Sequence, residues 1–267
     1  MRRTRKQTRA RRKRSRRARQ YKSRGGAQEK SKVIGGLAGG LGDHLALSTL
    51  PEMYVKNGYT VYISDTQEFR SDEIYDLVWK LNPFVKGKSN LPVNVTPVDR
   101  PWGPNDGNFI KYREIQCGVT NGYRKYPVVY YTPKRIAELA DYLIVDSGSV
   151  SANEGNADYA KSFQTIYDKY PHLERRLLKF KLGYKGHKSF TPKNNIVPTY
   201  EIENMYHLCD VLFTCKVFVS GVSGSSHLAS AIKQDSPTPE IYSFYSGPMP
   251  SNVLFKMDNV NYAPVVI

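Results

Sequence analysis

Two stretches constrain this chain more than any others: "KVIGGLAGGLGDHL" at residues 32–45 and "VFVSGVSGSSHLASAI" at 217–232. Each runs from a β-branched strand through a glycine-rich turn into a helix. Followed by another strand, such a unit is a βαβ crossover, which forces a parallel sheet covered by helices. After the first turn, "LALSTLPEMYVKNG" predicts a helix with Leu45, Leu47, Leu50, Met53 and Tyr54 on its apolar side and Gly58 as its stop. "YTVYISD" then supplies a strand, and "SDEIYDLVWKLNPFVKG" a short helix opened by a serine cap and early acids. Residues 88–134 read as irregular until "YPVVYYTPK" provides a strand. From there the alternation repeats. "ADYLIVDSGS" is read as a strand, "ADYAKSFQTIYDKYPHLERRLLKF" as a helix broken at Pro171, "EIENMYHLCDVLFTC" as a helix and "PEIYSFY" as a last strand. The predicted fold is α/β, with two small Rossmann-like domains, 31–133 and 134–267, facing a central cleft behind a basic tail at 1–30.

Charge is concentrated rather than spread. The formal net charge is +16, yet residues 1–24 hold 14 of the 40 Lys and Arg and no acid. The remainder carries 26 basic against 24 acidic residues. A self-repelling segment without apolar residues is expected to be disordered alone. It is read as binding nucleic acid or an anionic membrane surface, or as a nuclear or nucleolar address. No aromatic interleaves its arginines before Tyr21, so any nucleic-acid binding is expected to be unspecific. It lacks the apolar run of a secretory signal, and the chain has no stretch of transmembrane length. Three cysteines, Cys117, Cys209 and Cys215, fit neither a disulfide framework nor metal-ligand spacing. The expectation is an intracellular, cytoplasmic protein.

The two turns differ in charge. From Ser220 to His227 there is no acid, and backbone N–H groups at a helix start favour an anion there. Ser223, Gly224, Ser225, Ser226 and His227 are therefore candidates to bind a diphosphate, with cap and packing roles as the alternative. In the first turn, Gly39, Gly40 and Gly42 lead into Asp43, whose charge repels a phosphate. Asp43 is either an N-cap or a general base held at a strand-to-helix junction. Together the turns describe a site in which one half grips a nucleotide diphosphate and the other activates an acceptor hydroxyl.

"GLGDHLALSTLPEMYVKNG" resembles the Gly-Asp-x-x-x-x-Thr-Pro motif of the heptosyltransferase-like glycosyltransferases, through Gly42, Asp43, Thr49 and Pro51 with Leu50 inserted. "SGVSGSSHLASAI" is similar to that family's Asp-(Ser/Thr)-Gly-x-x-His-Leu-Ala-Ala-Ala motif, through Ser223, Gly224, His227, Leu228, Ala229 and Ala231. The resemblance implies a GT-B fold and inverting, metal-free transfer from a nucleotide sugar to a glycan, lipid or protein acceptor. It also implies Asp43 as base and residues 223–227 as diphosphate binder. No Asp-x-Asp pair is present, and neither a metal nor a separate cofactor is expected. Val222 stands where the family has an acid. After "YLIVD", where the family often has a basic residue near the leaving phosphates, this chain has Ser147, Ser149 and Ser151 as candidate donor-phosphate contacts in its place, and Lys161 only later.

A short-chain dehydrogenase is the competing enzyme, from Gly36, Gly40, Gly42, the acid Asp65 and the Tyr130/Lys134 spacing. That spacing needs a helix, and Pro133 argues against one. "GVSGS" lacks the last glycine of a hydrolase elbow, and no Lys follows either glycine run as a P-loop requires. A non-enzymatic binding protein with a degenerate transferase fold is the other alternative. Trp102 is a candidate to stack on a sugar, while Glu201 and Glu203 read as helix-start acids.

Overall fold

The computed structural model describes residues 30–98, 108–147, 159–181, 197–235, 239–245 and 256–265. The basic tail, Trp102, Ser149 and Ser151 lie outside these.

Strands β1 (Ser31–Ile34), β2 (Thr60–Ser64) and β3 (Val85–Ser89) run parallel in that spatial order. Val95 bridges to Ile34, extending the ladder past β1. The single helix expected after the first turn is two, α1 (Leu41–Leu45) and α2 (Leu50–Lys56). Pro51 explains the break, because its ring is tolerated in a first turn and not in a helix interior. The Ser48 hydroxyl donates to the Leu45 carbonyl at 2.8 Å, tightening the corner. Helix α3 (Asp72–Tyr75) opens as expected on Ser71, which accepts the Glu73 N–H, and continues as a wider π-turn over Asp76–Lys80. Helix α4 (Phe109–Gln116) was not expected. "FIKYREIQ" has no clean apolar stripe, and what marks its start is Asn108, which accepts the Ile110 and Lys111 N–H groups.

The second sheet holds β4 (Tyr142–Asp146), β5 (Glu174–Phe180), β6 (Thr199–Ile202), β7 (Val217–Gly221), β8 (Glu240–Tyr245) and β9 (Asn261–Pro264). Helices α5 (Tyr159–Lys169), α6 (Met205–Thr214) and α7 (Gly224–Ile232) connect them. The spatial order is β6-β5-β4-β7-β8-β9, and every neighbouring pair is parallel. Numbered within this half, that is 3-2-1-4-5-6, the doubly wound order whose crevice opens at the carboxyl ends of the two central strands. Those strands are β4 and β7.

Three sequence expectations fail here. "ERRLLKF" is strand β5 rather than helix, and Thr199–Ile202 pairs beside it as β6, so Glu201 lies on a strand. The helix that follows begins at Met205, capped by the Asn204 side chain on the His207 N–H at 2.8 Å. "YPVVYYTPK" joins no sheet, because its backbone is satisfied by side chains instead. The N–H groups of Val128 and Lys134 donate to Ser48 Oγ and Asp210 Oδ1, both at 2.8 Å, and the Pro127 carbonyl accepts from Gln234.

One buried cluster joins Ile34, Trp79 and Phe109 of the first half to Leu212, Phe218 and Leu228 of the second. A second cluster, including Val145, Phe163, Val219 and Phe244, covers the other face of the larger sheet. Helix α7 lies between the halves and is buried from Ser225 to Ile232. Its Gly, Ser and Ala side chains let α1 approach closely. Among the described residues no helix is long and apolar enough to cross a membrane.

Candidate functional site

The first turn is held by its histidine. The ring of His44 is fully buried, stacks on Phe69 at 4.6 Å and accepts the Trp79 indole N–H on Nδ1 at 3.0 Å. Burial pushes its pKa down to about 3, so the ring is neutral and its N–H sits on Nε2. That nitrogen has no hydrogen-bond partner.

Gly40, not Asp43, is the N-cap of α1, and Asp43 is the third helical residue. Its carboxylate folds back over the cap, and a Cβ at Gly40 would lie 2.9 Å from Asp43 Oδ2. Burial raises the Asp43 pKa, opposed by the charges of Arg113 and Arg70 and by the N–H groups of Gly40 and Asp43. A half-buried carboxylate with a raised pKa is a better proton acceptor than an exposed one. Thr49, of the same motif, faces inward and donates to the buried Glu114 carboxylate at 2.6 Å. Glu114 also accepts the Arg124 N–H at 2.9 Å.

The second turn starts α7 with a capping box formed by Ser223 and Ser226. The Ser223 N–H donates to Ser226 Oγ at 3.2 Å, and the Ser226 hydroxyl donates to the Ser223 carbonyl at 2.7 Å. The Ser225 hydroxyl donates to Asp146 Oδ2 at 2.5 Å and also meets Ser223 Oγ at 2.7 Å. The hydroxyls of Ser225 and Ser226, expected to face a diphosphate, are therefore committed within the protein. What this turn offers an anion is the backbone N–H groups and dipole of α7. His227 is likewise buried, stacked on Phe109 at 5.4 Å, rather than open to solvent. Burial, reinforced by the charge of Arg113, pushes its pKa down to about 4.

Sequence reasoning missed Asp146. It is buried at the carboxyl end of β4, in register with Ser220 on β7, at the strand-order reversal. The readable signal is an acid closing the apolar run "YLIVD". Beside it, the Ser147 and Ser220 hydroxyls are buried without a hydrogen-bond partner.

The structure brings the two turns into contact. A Cβ at Gly42 would lie 2.8 Å from His227 Nδ1, and one at Gly224 would lie 2.9 Å from Gly42 N and Leu41 Cβ. Neither glycine has a positive φ, so close approach is what requires them. Gly39 is similar, with a Cβ site 3.2 Å from Arg70 N. Tyr130 and Lys134 lie outside any helix, so the dehydrogenase spacing does not gather them on a helix face.

No family model matches the chain, and no curated protein matches it. Solved structures do. TibC, an iron-containing dodecameric glycosyltransferase from enterotoxigenic E. coli H10407, matches with a TM-score of 0.57 at 14% identity. That alignment covers 86% of this chain and 62% of TibC, so this chain spans less than two thirds of TibC's length. It has the heptosyltransferase fold. A glycosyl transferase family 9 protein from Veillonella parvula and E. coli ADP-heptose LPS heptosyltransferase II agree, each with a TM-score of 0.53 at 11% identity. Both alignments cover 88% of this chain, with 86% of the first protein and 90% of the second. The GT-B-like architecture is thus common to proteins with very different sequences. Among the described residues no group of three or more His, Cys, Asp or Glu gathers as metal ligands.

Proposed function

We propose that this chain is a glycosyltransferase that moves a sugar from a nucleotide sugar to an acceptor hydroxyl by metal-independent inversion. The observation that carries the reading is the contact between the Asp43 turn and the α7 N-terminus. A proton acceptor and an anion-favouring helix end meet at the crevice where α/β sheets bind ligands. In this reading the acceptor oxygen bonds to the anomeric carbon as the carbon–phosphate-oxygen bond breaks. The acceptor proton passes to Asp43, the electron pair leaves with the diphosphate, and configuration inverts. The α7 N–H groups stabilise the departing charge. The acceptor is a glycan, lipid or protein. The reaction takes place in the cytoplasm, and the basic tail adds an anionic partner, nucleic acid or a membrane surface.

Asp43→Asn tests the base. Turnover with a nucleotide-sugar donor is expected to fall about 10²–10⁴-fold, with an unchanged melting temperature. Retained turnover with lost stability would make Asp43 a cap only. A second reading, a binding protein on a retired transferase fold, is favoured by the direct packing of Gly42 on Gly224. Thermal unfolding with ADP, GDP, UDP and CDP separates them, since saturation at a hundred times Kd adds about 2.7 kcal/mol. Silence across the panel favours the second reading.

A further inference from the structure

Arg113, half-buried on α4, carries a charge that reaches both turns. Its guanidinium sits over the Phe109 ring at 5.2 Å, and that ring stacks on His227 in the first turn of α7. Its Nη1 donates to Gln116 Oε1 at 2.8 Å, and Gln116 in turn donates to the Tyr112 hydroxyl at 3.0 Å. The charge acts on both turns, favouring ionised Asp43 and opposing protonated His227. Among the described residues no carboxylate lies within ion-pair distance of it. A half-buried guanidinium oriented by an aromatic face and a neutral amide keeps its full charge and most of its donors for a ligand.

The chemistry of the site calls for that charge. A helix N-terminus supplies roughly half an elementary charge, whereas a diphosphate leaving group carries about two or more. The Ser225 hydroxyl is spent on Asp146 and the Ser226 hydroxyl on the Ser223 carbonyl, so neither is free for the diphosphate. Ser147, rather than a base, follows β4. We infer that Arg113, from the half that carries Asp43, reaches across the seam to bind the donor's diphosphate opposite the α7 N-terminus. Donor binding then ties the two halves together and sets the guanidinium against the charge that develops on the leaving group. The inference rests on the nucleotide-sugar reading above.

Arg70 is the internal comparison. It also flanks Asp43, and its backbone N–H is tied to the Gly39 carbonyl, but it does not act on His227. The test measures binding of ADP, GDP, UDP and CDP to the full chain by calorimetry, with the matching nucleosides as phosphate-free controls. The diphosphate bound by wild type is expected to weaken tenfold or more in Arg113→Gln and less than twofold in Arg70→Gln, with nucleoside binding unchanged. Arg113→Lys, which keeps the charge and loses the fork, is expected to fall between and serves if the glutamine variant does not fold. Wild-type affinity in Arg113→Gln or Arg113→Lys, or equal losses in Arg113→Gln and Arg70→Gln, would overturn the inference and leave the donor reading standing. Absence of diphosphate binding to wild type would overturn both.

Discussion

Acidification from pH 8 to pH 5 is expected to destabilise this fold through two histidines at the junction of its halves. Burial holds His44 down to about 3 and His227 to about 4, against an ordinary value of 6.5. Below 6.5 the unfolded chain binds protons that the folded chain refuses, so stability falls as pH drops and levels off only below the folded values. At pH 5 the unfolded side is favoured by about 1.5 pH units for each histidine, or about 2 kcal/mol apiece and roughly 4 kcal/mol together. Asp43 and Glu114, whose pKa values burial raises, act in the opposite sense and reduce the net loss. The histidine contribution is isolated by comparing wild type with His44→Gln, His227→Gln and the double variant in urea unfolding at pH 8, 7, 6 and 5. Relative to its own stability at pH 8, wild type should lose about 2 kcal/mol more than each single variant and roughly 4 more than the double. Parallel pH profiles for all four proteins would refute the reasoning, because they would mean that both rings take up protons in the folded state.

Further tests follow from the contact between the turns. Gly224→Ala places a methyl 2.9 Å from Gly42 N and Leu41 Cβ; backbone yields poorly, so a loss of about 1–3 kcal/mol is expected in urea unfolding. Trp79→Phe removes the indole N–H that donates to His44 Nδ1, beside an Nε2 that already lacks a partner, at an expected cost of about 1–3 kcal/mol by the same assay. Asp146→Ala removes the buried acceptor of the Ser225 hydroxyl, leaving it only Ser223 Oγ, and should lower stability by about 1–3 kcal/mol, while Asp146→Asn, which keeps an acceptor oxygen, should cost less. Equal losses in the two variants would mean that the acceptor oxygen is not what the site uses.

The parts of the fold that were legible share a physical origin. Strands β1 and β7, their glycine turns and the presence of a helix after each are written in local backbone preferences and need no distant partner. Helix α4 escaped notice because its burial is set by residues far away in sequence: the Asn108 amide reaches Asp258 at 3.0 Å, and the Phe109 N–H donates to the Lys256 carbonyl at 3.0 Å. Strands β5 and β6 were misread because the choice between helix and strand for "ERRLLKF" depends on the neighbouring strand β4. Likewise "PVVYY" has strand composition, yet its hydrogen-bond partners are side chains of other elements.

By itself the sequence determined a parallel α/β chain, the two glycine-rich strand-to-helix turns and the opposition of charge between them. Each depends on which residues stand within a few positions of one another. Tertiary structure alone decided that Asp43 is a third helical residue with a raised pKa rather than a cap, and that His44 and His227 are neutral. It also turned the Ser225 hydroxyl to Asp146 and brought the charge of Arg113 to bear on both turns. Protonation, desolvation and hydrogen-bond polarity are set by what surrounds a group in space, and those surroundings come from residues tens of positions apart in the chain.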